Sequence, residues 1–362
     1  MNDSTPRVFI AATRQNDGKT TTSLGLLAVL HKFYPRIGYI KPVGQRFVEI
    51  EEQKIDEDTV LMDRVYKLNC PLVDMSPIAV EPDFTRKYLQ SSNNEALVKK
   101  IIKAFDRVAW EKDFVLCEGS GHAGVGSVFD LSNAQVASIL GAKVIIISQG
   151  GIGKPIDEIY LNQAVFEREG VEIIGVILNK VLPDKVDYIT EFARRGLKRK
   201  GIELLGVVPH QRILSSPTMD LIREELRALP LNGSKLIHNL VDSVIVGAMS
   251  AQNAIPYFKR GVLVITPGDR EDIIVAASTI TSEHRGLAGI VLTGGFKPGP
   301  AVMQIVQTLP YPVLLASENS YEVASQVHNL IVKTQPDDAE KISVIRDIIA
   351  AHVDVNKILK AL

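Results

Sequence analysis

Short runs of apolar and β-branched residues alternate along the chain with stretches whose apolar positions recur every three or four residues. Such alternation predicts parallel strands joined through helices by right-handed crossovers. Strands are expected at residues 8–11, 36–40, 114–118, 144–148, 173–178 and 204–208, with helices at 20–33, 58–67, 95–110, 134–140, 156–169 and 188–200 between them. The pattern breaks at Ser215-Ser216-Pro217 and then resumes. Strands at 243–246, 262–265, 289–292 and 313–315 alternate there with helices at 251–258, 272–280, 301–308 and 321–330. The fold expected is α/β: a doubly wound parallel sheet over residues 1–215, then a second, smaller α/β domain over 216–335. In the tail, 336–362, Ile342, Val344, Ile345, Ile348 and Ile349 mark an amphipathic helix that should pack on a domain or on a neighbouring subunit.

Composition narrows the function classes. A chain of 362 residues is long enough for two compact domains, each with its own core. A net charge of -1 gives no general attraction to nucleic acid or to an anionic membrane. The basic cluster Arg194, Arg195, Lys198, Arg199 and Lys200 reads as one solvated helix face. Two cysteines, Cys70 and Cys117, are far apart, and Cys117 lies in an apolar strand as a buried thiol would. No apolar run reaches membrane-spanning length, and the first residues lack a basic stretch followed by an apolar one. A soluble, unprocessed protein of the reducing cytoplasm is expected.

The first strand ends in Ala11-Ala12-Thr13-Arg14-Gln15-Asn16-Asp17-Gly18-Lys19-Thr20-Thr21, and a helix follows. Strand, loop, then Gly-Lys-Thr opening a helix is the context of a phosphate-binding loop. Backbone N–H groups of Thr13 and of Gln15 to Thr21, with the positive end of the helix dipole, would cradle phosphates. Lys19 offers a point charge to the terminal phosphates, and Thr20 offers its hydroxyl to Mg²⁺. The usual opening glycine is absent, since the corresponding positions hold Ala12 and Thr13. A tripeptide that only caps a helix is the competing reading.

Other strand ends should converge on the same crevice, as they do in open parallel sheets. Lys41 in Tyr39-Ile40-Lys41-Pro42-Val43 is placed to neutralise charge on a phosphate, although a lysine at a strand end is by itself usually just exposed. Asp58 begins a helix, where the dipole alone explains it, or it reaches Mg²⁺ directly or through water. Glu118, ending Val115-Leu116-Cys117-Glu118 ahead of Gly119-Ser120-Gly121, is the stronger metal-ligand candidate, because a buried unpaired acid is costly. The glycine-rich stretch around His122 could wrap an anion, close as a lid, or be a plain flexible loop. Asn179 could pair with the edge of an adenine, or cap a helix.

The phosphate loop, Lys41-Pro42-Val43, Asp58, Glu118-Gly119-Ser120-Gly121, Asn179 and Gly206-Val207-Val208-Pro209 stand in the order found in dethiobiotin synthetase, which the first domain resembles. The resemblance implies that Lys19, Lys41 and the loop backbone bind ATP phosphates. It also implies that Thr20, Asp58 and Glu118 hold Mg²⁺, and that Asn179 reads adenine. The related cobyrinate amide synthases add a glutaminase domain, but no cysteine follows Cys117, so amidation from glutamine is not expected. The second domain resembles the DRTGG domain through Val246-Gly247-Ala248-Met249-Ser250, Thr266-Pro267-Gly268-Asp269-Arg270 and Leu292-Thr293-Gly294-Gly295. Together the two domains resemble the N-terminal regulatory portion of long bacterial phosphotransacetylases. Asp269, Arg270, Thr293, Gly294 and Gly295 could form a small anion or metabolite pocket, or simply two tight turns.

Three functions are compatible with these residues. The leading one is a cytoplasmic ATP- and Mg²⁺-binding protein that responds to nucleotide and signals to its second domain or to a protein partner. An ATP-dependent ligase would instead use Lys19 and Lys41 catalytically to activate a carboxylate or carbamate. An assembly module without tight nucleotide binding is the third. The resemblance implies a dimer or higher homo-oligomer in each case.

Overall fold

The computed structural model describes residues 2–232, 237–280, 286–330 and 332–362. The chain divides into two compact units, Met1–His210 with Thr334–Leu362, and Gln211–Lys333. The separate tail expected from residue 336 is therefore part of the first unit, and the second unit is an insertion between the last sheet strand and that tail.

In the first unit the strands are β1 (Arg7–Ala12), β2 (Ile37–Ile40), β3 (Val43–Gly44), β4 (Phe47–Ile50), β5 (Gln53–Asp56), β6 (Ile78–Ala79), β7 (Phe114–Glu118), β8 (Lys143–Gln149), β9 (Ile173–Val181) and β10 (Leu204–Pro209). The main sheet is parallel, in the order β10-β9-β8-β1-β7-β2. Six consecutive buried residues make β1 a central strand covered on both faces, which is why it reads as an unbroken apolar run. The chain passes from β1 to strands on one side of it and later to β8 on the other, so the crevice at the carboxyl end of β1 is the topological switch point. The antiparallel ribbon β4-β5 and the parallel pair β3-β6 had no clear sequence signal.

The helix Lys19–Leu30 is buried on almost every side, because the tail helix Ala339–His352 packs on it away from the sheet. Gly25 makes this approach possible: a β-carbon there would lie 2.6 Å from the Ile349 β-carbon. Ile342, Ile345, Ile348 and Ile349 are buried, as the periodicity predicts, and Val344 is half-buried. Past this helix, Val353 bridges antiparallel to Gly206, and the Asp354 N–H donates to the Leu205 carbonyl at 2.8 Å. The tail thereby covers part of the exposed edge of β10.

The second unit holds β11 (Leu229–Pro230), β12 (Ser243–Val246), β13 (Val262–Pro267), β14 (Gly289–Thr293) and β15 (Val313–Leu315), in the order β11-β15-β14-β13-β12. The four strands expected from the sequence are parallel, and the unexpected β11 pairs antiparallel with β15. Alternation along β13 divides the core: Val262 and Val264 join Ile273, Ile274 and Tyr311 on one face, while Leu263 and Ile265 join Met219, Ile222 and Val323 on the other. Among the described residues no helix is long and apolar enough to cross a membrane.

Candidate functional site

The loop after β1 takes its shape from its own side chains and from β9. Asp17 is buried; its Oδ2 accepts the Thr13 hydroxyl at 2.7 Å and the Arg14 N–H at 2.7 Å. Its Oδ1 has no partner, and burial raises the carboxyl above its ordinary pKa. From β9, the Asn179 amide donates to the Asp17 carbonyl at 2.9 Å, and Lys180 Nζ donates to the Asn16 carbonyl at 2.7 Å. The left-handed positions are Asn16 (φ 66°) and Gly18 (φ 100°), not the place of the missing opening glycine. Ala12 needs no glycine conformation, because it is the last residue of β1 and pairs with Ile147. Gly18 caps the helix, whose first N–H groups have no intrahelical acceptor and face the loop. Gln15 is exposed at the loop tip, and Thr21 is half-buried in the first helical turn.

Lys19 is nearly buried; that burial lowers its pKa, with Glu118 acting in the opposite sense. Thr20, one residue on, donates its hydroxyl to Glu118 Oε1 at 2.9 Å. Glu118 ends β7 with no solvent exposure, and its Oε2 accepts the Tyr39 hydroxyl at 3.2 Å. Lys41, at the end of β2, pairs with Asp58 and lies 3.2 Å from Asp56 Oδ1 and 3.7 Å from Glu118 Oε1. Burial pushes the Asp56 and Glu118 carboxyls up. Burial works against the Lys41 ammonium as well, but Asp58, Asp56 and Glu118 outweigh it and hold the group above its ordinary range.

The structure thus brings Lys19, Thr20, Lys41, Asp58 and Glu118 to one crevice beside the loop formed by Thr13 to Gly18. Sequence reasoning overlooked Asp56, Tyr39 and Asn133. Asp56 caps the helix that Asp58 begins, accepting the Asp58 N–H at 3.0 Å. Asn133 accepts the Ser120 N–H at 3.0 Å and donates to the Ser120 and His122 carbonyls at 2.8 and 2.7 Å. Asn162 accepts the Ala123 N–H at 2.8 Å, and Ser120 Oγ donates to the Val43 carbonyl at 2.6 Å. The glycine-rich stretch around His122 is thus held to its neighbours at Ser120, His122 and Ala123. Asn179 caps no helix; it supports the phosphate loop.

Hard oxygen donors, the Thr20 hydroxyl with the Asp58 and Glu118 carboxylates, suit Mg²⁺, which retains several waters and takes further oxygens from phosphates. Among the described residues no group of three or more His, Cys, Asp or Glu has the arrangement of a self-sufficient metal site.

In the second unit, Asp269 and Arg270 follow β13, while Thr293 ends β14 and Gly294 and Gly295 follow it, so the register Pro267 opposite Thr293 places the two turns side by side. The Gly268 N–H donates to the Thr293 carbonyl at 3.2 Å. Arg270 is committed within the unit, donating to Asp272 Oδ1 at 2.8 Å and to the Met249 carbonyl at 2.8 Å. Thr293 is buried against the Ser320 hydroxyl at 2.7 Å, and Gly294 and Gly295 occupy left-handed conformations (φ 78° and 69°). Asp269 is exposed.

Comparison with known proteins agrees with the motifs. The AAA domain model of the AAA_26 family matches residues 6–218, and the DRTGG domain model matches residues 221–330. The chain is similar to the phosphate acetyltransferase of Nitratidesulfovibrio vulgaris, 26% identical over 370 residues that cover 97% of this chain and 51% of that protein. It is also similar to the phosphate acetyltransferase of Pseudomonas aeruginosa, 29% identical over 363 residues that cover 96% and 50%. The chain spans about half the length of these relatives. Among solved structures, the MinC:MinD cell division protein complex of Aquifex aeolicus aligns with a TM-score of 0.37 and 14% identity, over 58% of this chain and 83% of that one. The match over most of its first unit means that this chain belongs to the AAA_26 family of AAA domains, here followed by a DRTGG domain.

Proposed function

We propose that the chain is a nucleotide-responsive regulatory protein of the phosphotransacetylase type, binding ATP or a related nucleotide with Mg²⁺ at the carboxyl end of β1. One observation carries this reading: Thr20 and Glu118 are hydrogen-bonded at 2.9 Å beside a buried Lys19, with Lys41 and Asp58 in the same cluster. A capping tripeptide would have no need of buried carboxylates around it, since each costs folding free energy. Lys19 and the loop N–H groups take the phosphates, Thr20, Glu118 and Asp58 take the metal, and Asn179, whose amide donates to the Asp17 carbonyl and whose Oδ1 accepts the Lys180 N–H at 2.9 Å, holds the loop beside the base. The turns carrying Asp269, Arg270, Thr293, Gly294 and Gly295 are the place for a second ligand or a partner contact. A reducing cytoplasm suits two unpaired cysteines, and a homo-oligomer, dimer or larger, is the expected assembly.

Thermal unfolding with and without Mg²⁺ and ATP, ADP or GTP tests the proposal. A ligand at a hundred times its Kd stabilises by about 2.7 kcal/mol. The expected result is a Mg²⁺-dependent upward shift that Lys19→Ala and Glu118→Ala both lose. No shift with any of the three nucleotides refutes the reading.

A further inference from the structure

Lys41 is enclosed by carboxylates from three elements: Asp56 at the end of β5, Asp58 in the helix that follows it, and Glu118 at the end of β7. All four side chains are nearly withdrawn from solvent. Buried carboxylates at this density require a cation, and Lys41 supplies it. Two of its three partners, Asp58 and Glu118, are the carboxylates suited to Mg²⁺. The Glu118 oxygen nearest to Lys41 is Oε1, which also accepts the Thr20 hydroxyl. A metal ion drawing on Thr20, Asp58 and Glu118 would therefore compete with the ammonium for the same oxygens and repel it at close range.

We infer that Lys41 is an internal counter-ion that keeps Asp58 and Glu118 from binding metal until nucleotide phosphate gives the ammonium another partner. The inference rests on the nucleotide-binding reading and adds a coupling to it. Asp56 already fixes its helix start through the Asp58 N–H and stays with Lys41 as a pivot. Metal alone binds weakly, phosphate alone finds Lys41 held back, and the two together release it. Such linkage is reciprocal, each ligand strengthening the other by the same factor.

The test is Mn²⁺ binding to the full chain, followed by electron paramagnetic resonance, for wild type and Lys41→Met without nucleotide. Lys41→Met should bind Mn²⁺ about tenfold more tightly than wild type, the size of a typical coupling between sites. Equal or weaker binding by the variant overturns the inference, and this comparison does not depend on any nucleotide binding at all. A second measurement decides the matter if the variant fails to fold. In wild type, Mn²⁺ affinity should rise about tenfold on adding saturating ADP. Unchanged Mn²⁺ affinity in a chain that does bind ADP overturns the counter-ion role and leaves the nucleotide site standing.

Discussion

The side-chain amide of Asn179 lies against Gly18 and donates to the Asp17 carbonyl at 2.9 Å, so β9 braces the phosphate loop from outside. Any β-carbon at position 18 would meet that amide, and the left-handed backbone there already favours glycine. The loop and the amide that holds it are thus one unit of structure.

Asn179→Ala should therefore weaken every phosphate ligand, not adenine nucleotides alone. Leaving a buried carbonyl unsatisfied costs about 1–3 kcal/mol, roughly 5- to 150-fold in affinity if it is felt mainly in the bound state. Calorimetric titration of ATP, GTP and inorganic tripolyphosphate against the variant separates the two roles. Equal loss for all three marks a brace. Loss confined to ATP would show that Asn179 acts on the base alone.

Glu118→Gln should not destabilise the ligand-free protein at neutral pH and should raise its stability. The folded-state pKa of Glu118 is raised by burial, so the native state holds a proton more tightly than the unfolded chain does. Its ionisation therefore costs stability at neutral pH, and that cost is relieved as pH falls through the raised folded value towards the ordinary glutamate value of about 4.3. Denaturant melts from neutral pH down to about pH 4 should show the advantage of the variant shrinking as pH falls through the raised folded value towards the ordinary one. An advantage that is constant or grows towards acid pH would contradict the burial of a charged Glu118.

Ile349→Ala should destabilise the first unit by about 2–5 kcal/mol, because the side chain is fully buried where Gly25 admits it. Unfolding monitored in the first unit reads this loss. A change confined to the second unit, or no change, would mean that the tail is not part of the first unit's core.

Both thiols should be unreactive in the native state. Burial pushes Cys70 up to about 11 and Cys117 up to about 12. The thiolate, not the thiol, is the nucleophile, so at pH 8 only roughly one Cys70 in a thousand is reactive. Reaction with a thiol reagent should be slow at pH 8, faster towards pH 10, and complete for both cysteines in denaturant. Rapid native modification of Cys117 would contradict its place in β7.

Much of the fold was legible because burial on both faces writes itself into the sequence. β1, β7 and β8 are apolar runs of strand length, and in the second unit the 243–246 and 313–315 strands begin and end where the pattern does. The ribbons and β11 were not legible, since two- to four-residue edge strands leave too little periodicity to see. The tail's attachment was hidden for another reason: the amphipathic face of Ile342 to Ile349 announces a partner but cannot say which. At the site, Lys19, Thr20 and Glu118 stood in recognisable local patterns. Asp56 and Tyr39 join the site through contacts with Lys41 and Glu118 across elements, and such contacts leave no local trace.

Calorimetric titration of ATP in the presence of Mg²⁺ into the wild-type chain, with Lys19→Ala alongside, tests the nucleotide site most directly. One ATP per chain, with binding abolished by Lys19→Ala, is the result expected from a buried lysine beside the Thr20–Glu118 pair. No binding of ATP to wild type, or binding that Lys19→Ala leaves unchanged, would contradict it.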